Sequence, residues 1–315
     1  KLEVVFNKQN KNLLLLDGFY TLGNSNYKKF KVKYNLNKKN QNYFINLDLN
    51  ENIFFDFINY KTNPKKNSNI KIEYSVKNKK FIFKSIDFTE DKNTISIKDL
   101  ILNNKSEVEK FSSIKILTFN KNQENNNFII NFGKKISISG KKYDSSNLLK
   151  LLSKPSKSNV LKRFNKEIEI QIKNLITKSN ISLNNFNLIG LVEKGKFNRL
   201  SAKSEFEKGK YLDITLKKDL NKKKILEVYS DSPQALLGEY KVFEGIKEGK
   251  LLYNSIIDDT GSVSTITIEN FKLTKAPAFA TLLTLADLGG FVDLLSGEGM
   301  SFDILEIKLK DDANV

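Results

Sequence analysis

Apolar and polar side chains alternate with a period of two over most of this chain, the pattern of strands that bury one face. Ile70, Ile72, Tyr74 and Val76 are separated by Lys71, Glu73 and Ser75, and Ile168, Ile170 and Ile172 by Glu169 and Gln171. The same spacing recurs at Ile95 and Ile97, Ile136 and Ile138, Leu212 to Leu216, Ile266 and Ile268, and Leu305 to Leu309. Phe81-Ile82-Phe83 and Phe128-Ile129-Ile130 are continuously apolar, as expected of strands covered on both faces. Punctuations at Lys77 to Lys80, Asn122 to Asn127 and Lys208 to Lys210 predict hairpin turns. Many strands with hairpin-length links predict an antiparallel meander.

Helical patterns are few. Ser145-Ser146-Asn147 predicts the cap of a short helix through Leu148 and Leu152, ended by Pro155. Asp231-Ser232 predicts a second cap, with Pro233 at the first helical position before Ala235, Leu236 and Leu237. The apolar run Ala278 to Leu295 predicts two helical pieces hinged at Gly289-Gly290. Its Asp287, Asp293 and central glycines argue against a membrane span, which needs about 20 clean apolar residues. These helices are too few to cover so much sheet. The strands must therefore pack as a sandwich, close as a barrel, or curl around an apolar groove, and alternation alone does not choose.

Composition narrows the chemistry. The chain has no His, Cys or Trp, so thiolate and imidazole sites are absent and no metal or cofactor is expected. Asp258-Asp259 is followed by Thr260-Gly261 and reads as a hairpin turn, not as a catalytic carboxylate pair. The formal charge of +17 rests almost wholly on Lys, because Arg163 and Arg199 are the only arginines. Arg, not Lys, makes the bidentate contacts typical of nucleic-acid readers. The Lys and Asn content reads as coding bias of an AT-rich genome, and nucleic acid is not an expected partner. Tyr27-Lys28-Lys29-Phe30-Lys31 reads as an amphipathic strand with Lys on its wet face. The chain opens KLEVVFNK, without Met, and both ends look cut from a longer protein.

Several consecutive pieces resemble the C-terminal region of AsmA-like envelope proteins, the YhdP type with a DUF3971-like region. Ile138-Ser139-Gly140 with Tyr143-Asp144 and Leu148-Leu149 resembles the family's strand, Gly, aromatic, Asp and leucine-helix element. Leu226 to Leu237 resembles its strand leading into a short helix, and Gly245 to Leu252 its glycine turn and following strand. Phe271-Lys272-Leu273-Thr274-Lys275-Ala276-Pro277 resembles the entry to its apolar helices, and Gly297-Glu298-Gly299-Met300-Ser301-Phe302 its closing turn. The order of these pieces holds from about Ile138 onward; residues 1–137 agree only in being strand-rich.

The resemblance implies a fragment of an inner-membrane-anchored, periplasmic lipid-transfer bridge of the Gram-negative cell envelope. It implies a mainly β fold: an elongated antiparallel sheet curled into an apolar groove, with a few short helices. Phospholipid is the expected cargo, with the inner membrane reached through an anchor outside this chain and outer-membrane or other envelope proteins as further partners. The expected divisions are a β-rich groove segment, 1–143, and an AsmA-like C-terminal β module, 144–315. Groove-wall candidates are Ile70, Ile72, Tyr74, Phe81, Phe83, Ile168, Ile170, Ile172, Ile266 and Ile268. Ala276, Pro277, Leu282, Leu283, Phe291 and Leu294 are expected to cap or close one groove end. No enzymatic activity is expected. The alternative is a non-catalytic envelope β-sandwich that binds or supports other components.

Overall fold

A computed structural model describes residues 2–6, 13–20, 27–35, 41–49, 52–147, 165–177, 181–206, 209–221, 223–238, 243, 245–258, 260–274 and 299–312. The chain is mainly β and divides into two compact units, Lys1–Leu161 and Lys162–Val315. The first unit contains β1 (Leu2–Phe6), β2 (Leu13–Tyr20), β3 (Lys28–Asn35), β4 (Gln41–Leu49), β5 (Phe54–Phe55) and β6 (Tyr60–Lys61). It continues with β7 (Ser68–Lys77), β8 (Lys80–Glu90), β9 (Asn93–Leu102), β10 (Val108–Lys110), β11 (Ser113–Asn120), β12 (Gln123–Phe132) and β13 (Ile136–Asp144). The second has β14 (Lys166–Ile176), β15 (Ser182–Glu193), β16 (Lys196–Glu205), β17 (Tyr211–Lys218), β18 (Lys224–Ser230), helix α1 (Pro233–Leu237), β19 (Ile246–Asp258), β20 (Gly261–Leu273) and β21 (Met300–Asp312).

Both units are antiparallel meanders. In the first, β1, β2, β3, β4, β7, β8 and β9 pair in sequence, β10 and β11 share the next edge of β9, and β12 and β13 follow. In the second, β14 to β21 pair each with the next. Among the described residues neither ladder returns to its first strand. Residues 144–147 belong to the first unit, where Asp144 accepts Asn59 Nδ2 at 3.0 Å and Asn147 reaches Asn59 Oδ1 at 2.8 Å, so the 143/144 division lies inside that unit.

The hairpins turn where the chain carries Asn, Lys and Gly. Asn78-Lys79, Lys121-Asn122 and Lys194-Gly195 all have positive φ at both positions, which matches the right-handed twist of the flanking strands. The segment Asn122 to Asn127 is only partly a turn, however. Its last three asparagines are inside β12, and Asn125 and Asn126 are buried.

Two irregularities decide which side chains share a face. In β8 and β9 the alternation resets at Lys84 and at Asp99, whose φ is 52°. The extra residue brings Phe81 and Phe83 to the face that already carries Ile86 and Phe88, and the Tyr74 and Phe83 rings stack at 5.3 Å. In the second unit Gly249 at φ 82° and Asn270 at φ 50° do the same for Ile246 and Phe271. In the apolar triplet Phe81-Ile82-Phe83 the two rings are half-buried on this face and Ile82 is half-buried on the opposite one, across from Ile101.

Gly140 lies opposite Phe128, beside a register shift between Asn127 and Phe128. A Cβ there would sit 2.3 Å from the Asn127 carbonyl oxygen and 2.4 Å from Phe128 Cβ. Backbone is on the contact, so little can yield. Gly140→Ala is expected to lower stability by about 1–3 kcal/mol, the usual cost of overpacking, seen as a lower urea midpoint. An unchanged midpoint would mean that the β12–β13 shift can move.

Candidate functional site

In the first unit, register gathers the apolar positions into cross-strand rows. One row runs Leu16, Val32, Ile45, Ile72, Ile86, Ile97, Ile114, Ile130 and Ile138 over β2 to β13. Beside it runs Phe30, Leu47, Ile70, Phe88, Ile95, Ile116 and Phe128. On the other side lies an aromatic row: Tyr34 stacks on Tyr43 at 4.4 Å, Tyr43 on Tyr74 at 4.6 Å, and Tyr74 on Phe83. Cross-strand stacking of this kind stabilises a sheet pair by roughly 0.2–1 kcal/mol. The opposite face carries ion pairs such as Lys84–Glu73 and Lys98–Asp87, which consume part of the Lys excess but add little stability.

The face ends in a polar row. Ser68, Glu90, Asn93, Thr118 and Asn126 follow the apolar rows in register, and all are buried. They hold an insert, residues 52–62, formed by β5, a single 3-10 turn at Asp56–Ile58, and β6. Asn126 Nδ2 donates to the Ile58 carbonyl and to Thr118 Oγ1, each at 2.8 Å. Tyr143 donates to the Phe57 carbonyl at 3.1 Å, Tyr60 donates to Glu90, and Asn63 N–H donates to Glu90 Oε1 at 2.8 Å. Above this polar base the insert lays aromatic rings on the last apolar row: Phe55 meets Phe88 at 5.3 Å and Phe57 meets Phe128 at 6.5 Å, with Tyr143 of β13 5.5 Å from Phe57. Burial first, and then the Glu90 carboxylate, push the Tyr60 phenol well above its ordinary value, so it remains a donor at neutral pH. Burial likewise raises the Tyr143 phenol, helped by neighbouring Asp144.

The second unit carries a matching apolar face. Ile170, Leu188, Ala202, Ile214, Val228, Tyr253, Ile266 and Ile307 face one another in register. A cavity of about 670 Å3 opens over Ile214, Val228, Tyr253, Ile266 and Ile307, closed on one side by Leu236, Leu237 and Phe243. Its lining is aliphatic and aromatic, with the Tyr253 hydroxyl as the one side-chain polar group. That hydroxyl lies 3.0 Å from Ser264 Oγ, which bonds Ser255 Oγ at 2.8 Å. Leu236 of α1 packs against both buried clusters of this unit, one around Ile246, Leu251, Ile268 and Phe271 and the other around Leu183, Phe206 and Leu212.

Pro233 does open α1, as the sequence suggests, but neither Asp231 nor Ser232 caps it through a side chain. Asp231 instead accepts Tyr211 N–H at 3.0 Å and Tyr229 O–H at 2.6 Å. Burial works to raise its carboxyl, yet those bonds and nearby Lys250 prevail and hold it below the usual range.

The wall candidates fall into distinct settings. Ile70, Ile72, Tyr74, Phe81 and Phe83 share one face of β7 and β8 and are all half-buried. Ile168 and Ile170 are half-buried on β14, and Ile266 lines the cavity. Ile172 and Ile268, at 1% and 0% exposure, are packed by protein and are core, not open wall. Ala276, Pro277, Leu282, Leu283, Phe291 and Leu294, and the helix expected after Asn147, lie outside the described residues. The insert and its polar row were not foreseen. Their trace in the sequence is the break in alternation at Phe54-Phe55-Asp56-Phe57-Ile58 together with the run Asn125-Asn126-Asn127.

Among the described residues no three carboxylates cluster as a metal-ligand set, and no helix is long and apolar enough to cross a membrane. The architecture so far defines only a class: an antiparallel β protein with an apolar face in each unit. No family model, curated protein or solved structure matches the chain.

Asn126→Ala removes the bond to the insert at the Ile58 carbonyl, the bond to Thr118 Oγ1 and the acceptor of the Asp144 N–H. The expected cost is about 1–3 kcal/mol, with faster amide hydrogen exchange in 52–62 than in β14 to β21. Uniform acceleration across both units would argue against a local anchoring role.

Proposed function

We propose that this chain is a segment of an AsmA-like lipid-transfer bridge, holding phospholipid by its acyl chains. The observation that carries this reading is the 670 Å3 apolar cavity over Ile214, Val228, Tyr253, Ile266 and Ile307. Apolar pockets with a few polar groups are the usual form of small-molecule sites, and this one offers hydrocarbon no charge to desolvate. The half-buried rows of the first unit give acyl chains a comparable surface. Each Å2 of apolar area removed from water contributes about 25 cal/mol. Transfer in this reading is passive: the sheet curls, acyl chains slide along the rows, and the head group stays in water. The bridge sits in the periplasm, tethered to the inner membrane by chain outside this segment, and meets envelope proteins at its far end.

A second reading, a non-catalytic envelope β module that binds or supports other components, draws on the insert and α1. Both cover parts of the apolar faces with protein, as a closed core would.

Native mass spectrometry of the chain, purified without detergent from a Gram-negative host, separates the two. Bound phospholipid at about one per chain or more is expected. Ile266→Asp places a carboxylate in the cavity lining and is expected to remove at least one of these lipids, at a stability cost of roughly 1–3 kcal/mol with a cooperative urea transition retained, because Ile266 is only half-buried. A folded, lipid-free wild-type chain would leave the second reading standing.

A further inference from the structure

The rows of the first unit are not equally open. Ile72, Ile86 and Ile97 are half-buried, with Ile130 buried at the end of their row, whereas one row further Phe88, Ile116 and Phe128 fall to 3%, 5% and 4% exposure beside half-buried Ile70 and Ile95. The change coincides with the insert, whose Phe55 and Phe57 meet those rings. Ile58 and Tyr60 are buried within the insert, but Phe57 keeps 39% of its surface exposed despite its ring contacts with Phe128 and Tyr143. Phe54 of the same insert is exposed as well, so Phe57 is distinguished not by exposure but by its ring contacts with Phe128 and Tyr143 at the margin of the covered residues.

The insert is also held more firmly than ordinary loops. Its carbonyls at Phe57 and Ile58 are tied to Tyr143 and Asn126, the latter fully buried, and its Tyr60 is tied to the buried Glu90. A segment docked on a satisfied buried polar row has one arrangement, because any shift leaves several buried groups unpaired. It therefore behaves as a wall.

We infer that residues 52–62 form a fixed stop for hydrocarbon in the first unit, with Phe57 as the ring that an acyl-chain end meets. This rests on the lipid reading above. Successive rows lie two residues apart, about 6.6 Å along the strands. Where it covers Phe88 and Phe128 the insert shortens the free apolar strip by that distance. The occupant is an acyl chain and not a polar segment, because the remaining rows, through Ile72 and Ile86, Tyr74 and Phe83, and Val76 and Phe81, offer Ile, Val, Leu and aromatic side chains and no charge. The stop thus selects for chain length: each methylene that fits is favoured by about 0.8 kcal/mol, or roughly fourfold in occupancy, and each that collides with Phe57 is not.

The test uses the whole chain carrying Ile266→Asp, so that the cavity of the second unit is disabled. It is equilibrated with vesicles of phosphatidylglycerols in a graded series of acyl lengths, and bound species are read by native mass spectrometry. Adding Phe57→Ala is expected to shift occupancy toward longer chains by about fourfold per accommodated methylene, with protection of the 52–62 amides retained. If that variant frees the insert, Phe57→Leu keeps the bulk needed for docking, and a smaller shift in the same direction is expected. Lipid bound with the same length distribution in a variant whose insert stays protected overturns the stop and leaves the lipid reading intact. No lipid on the wild-type chain or on any variant overturns both.

Discussion

Cross-strand register is the constraint on which everything else here depends. Side chains in a strand alternate faces, so a slip of one residue would exchange the apolar rows with the lysine-bearing face. Alternation alone does not keep β8 and β9, or β19 and β20, in phase. In each pair the backbone takes up an extra residue, at Lys84 and Asp99 in one and at Gly249 and Asn270 in the other. Asp99 and Asn270 take positive φ, uncommon for non-glycine residues, and together with the resets at Lys84 and Gly249 they keep Phe81 and Phe83, or Ile246 and Phe271, on the apolar face. The strain is local and the gain is a continuous face.

A face of this kind must also end somewhere, and the two units end theirs differently. The first turns polar: Glu90, Asn93, Thr118 and Asn126 continue the rows but replace hydrocarbon with hydrogen-bonding groups. Buried polar groups are costly unless paired, and the insert supplies the pairing through its carbonyls and Tyr60. The second keeps more hydrocarbon, with buried Ser204 donating to the Asn184 carbonyl and Ser230 accepting the Ser232 N–H, and a helix of five residues with Phe243 covers it. Polar docking fixes one geometry, whereas apolar docking tolerates small shifts.

Strands were legible in the sequence wherever alternation was clean. Ile168, Ile170 and Ile172 on β14, and Leu212 to Leu216 on β17, lie where period two puts them. Hairpins were legible where both turn residues are Asn, Lys or Gly. Three features were not. Asn125 to Asn127 looks like loop composition, yet Asn126 is a strand residue whose amide satisfies another segment 68 positions away. The insert has no period, and its docking depends on partners brought together only by the fold. Asp231 has the composition of a helix cap but serves the strands instead, because Tyr211 and Tyr229 reach it first. Ile172 and Ile268 show the same limit from the other side: alternation gives the face of a residue but not what covers it.

Coverage is also what separates a groove from a core. Half-buried isoleucines at Ile70, Ile72 and Ile170 retain part of the hydrophobic cost that complete burial would remove. A two-layer fold would relieve that cost with a second sheet or with helices along the whole face. This chain spends its covering elements at the ends, the insert in one unit and α1 in the other, and among the described residues leaves the middle rows to solvent. In the proposed function that arrangement has a physical logic. Hydrocarbon that has to move cannot be held by a fixed lid, so the middle of the face stays open and weakly binding at each position. Affinity then comes from the number of rows a chain touches at once, and sliding by one strand exchanges one set of isoleucines for another at nearly equal energy.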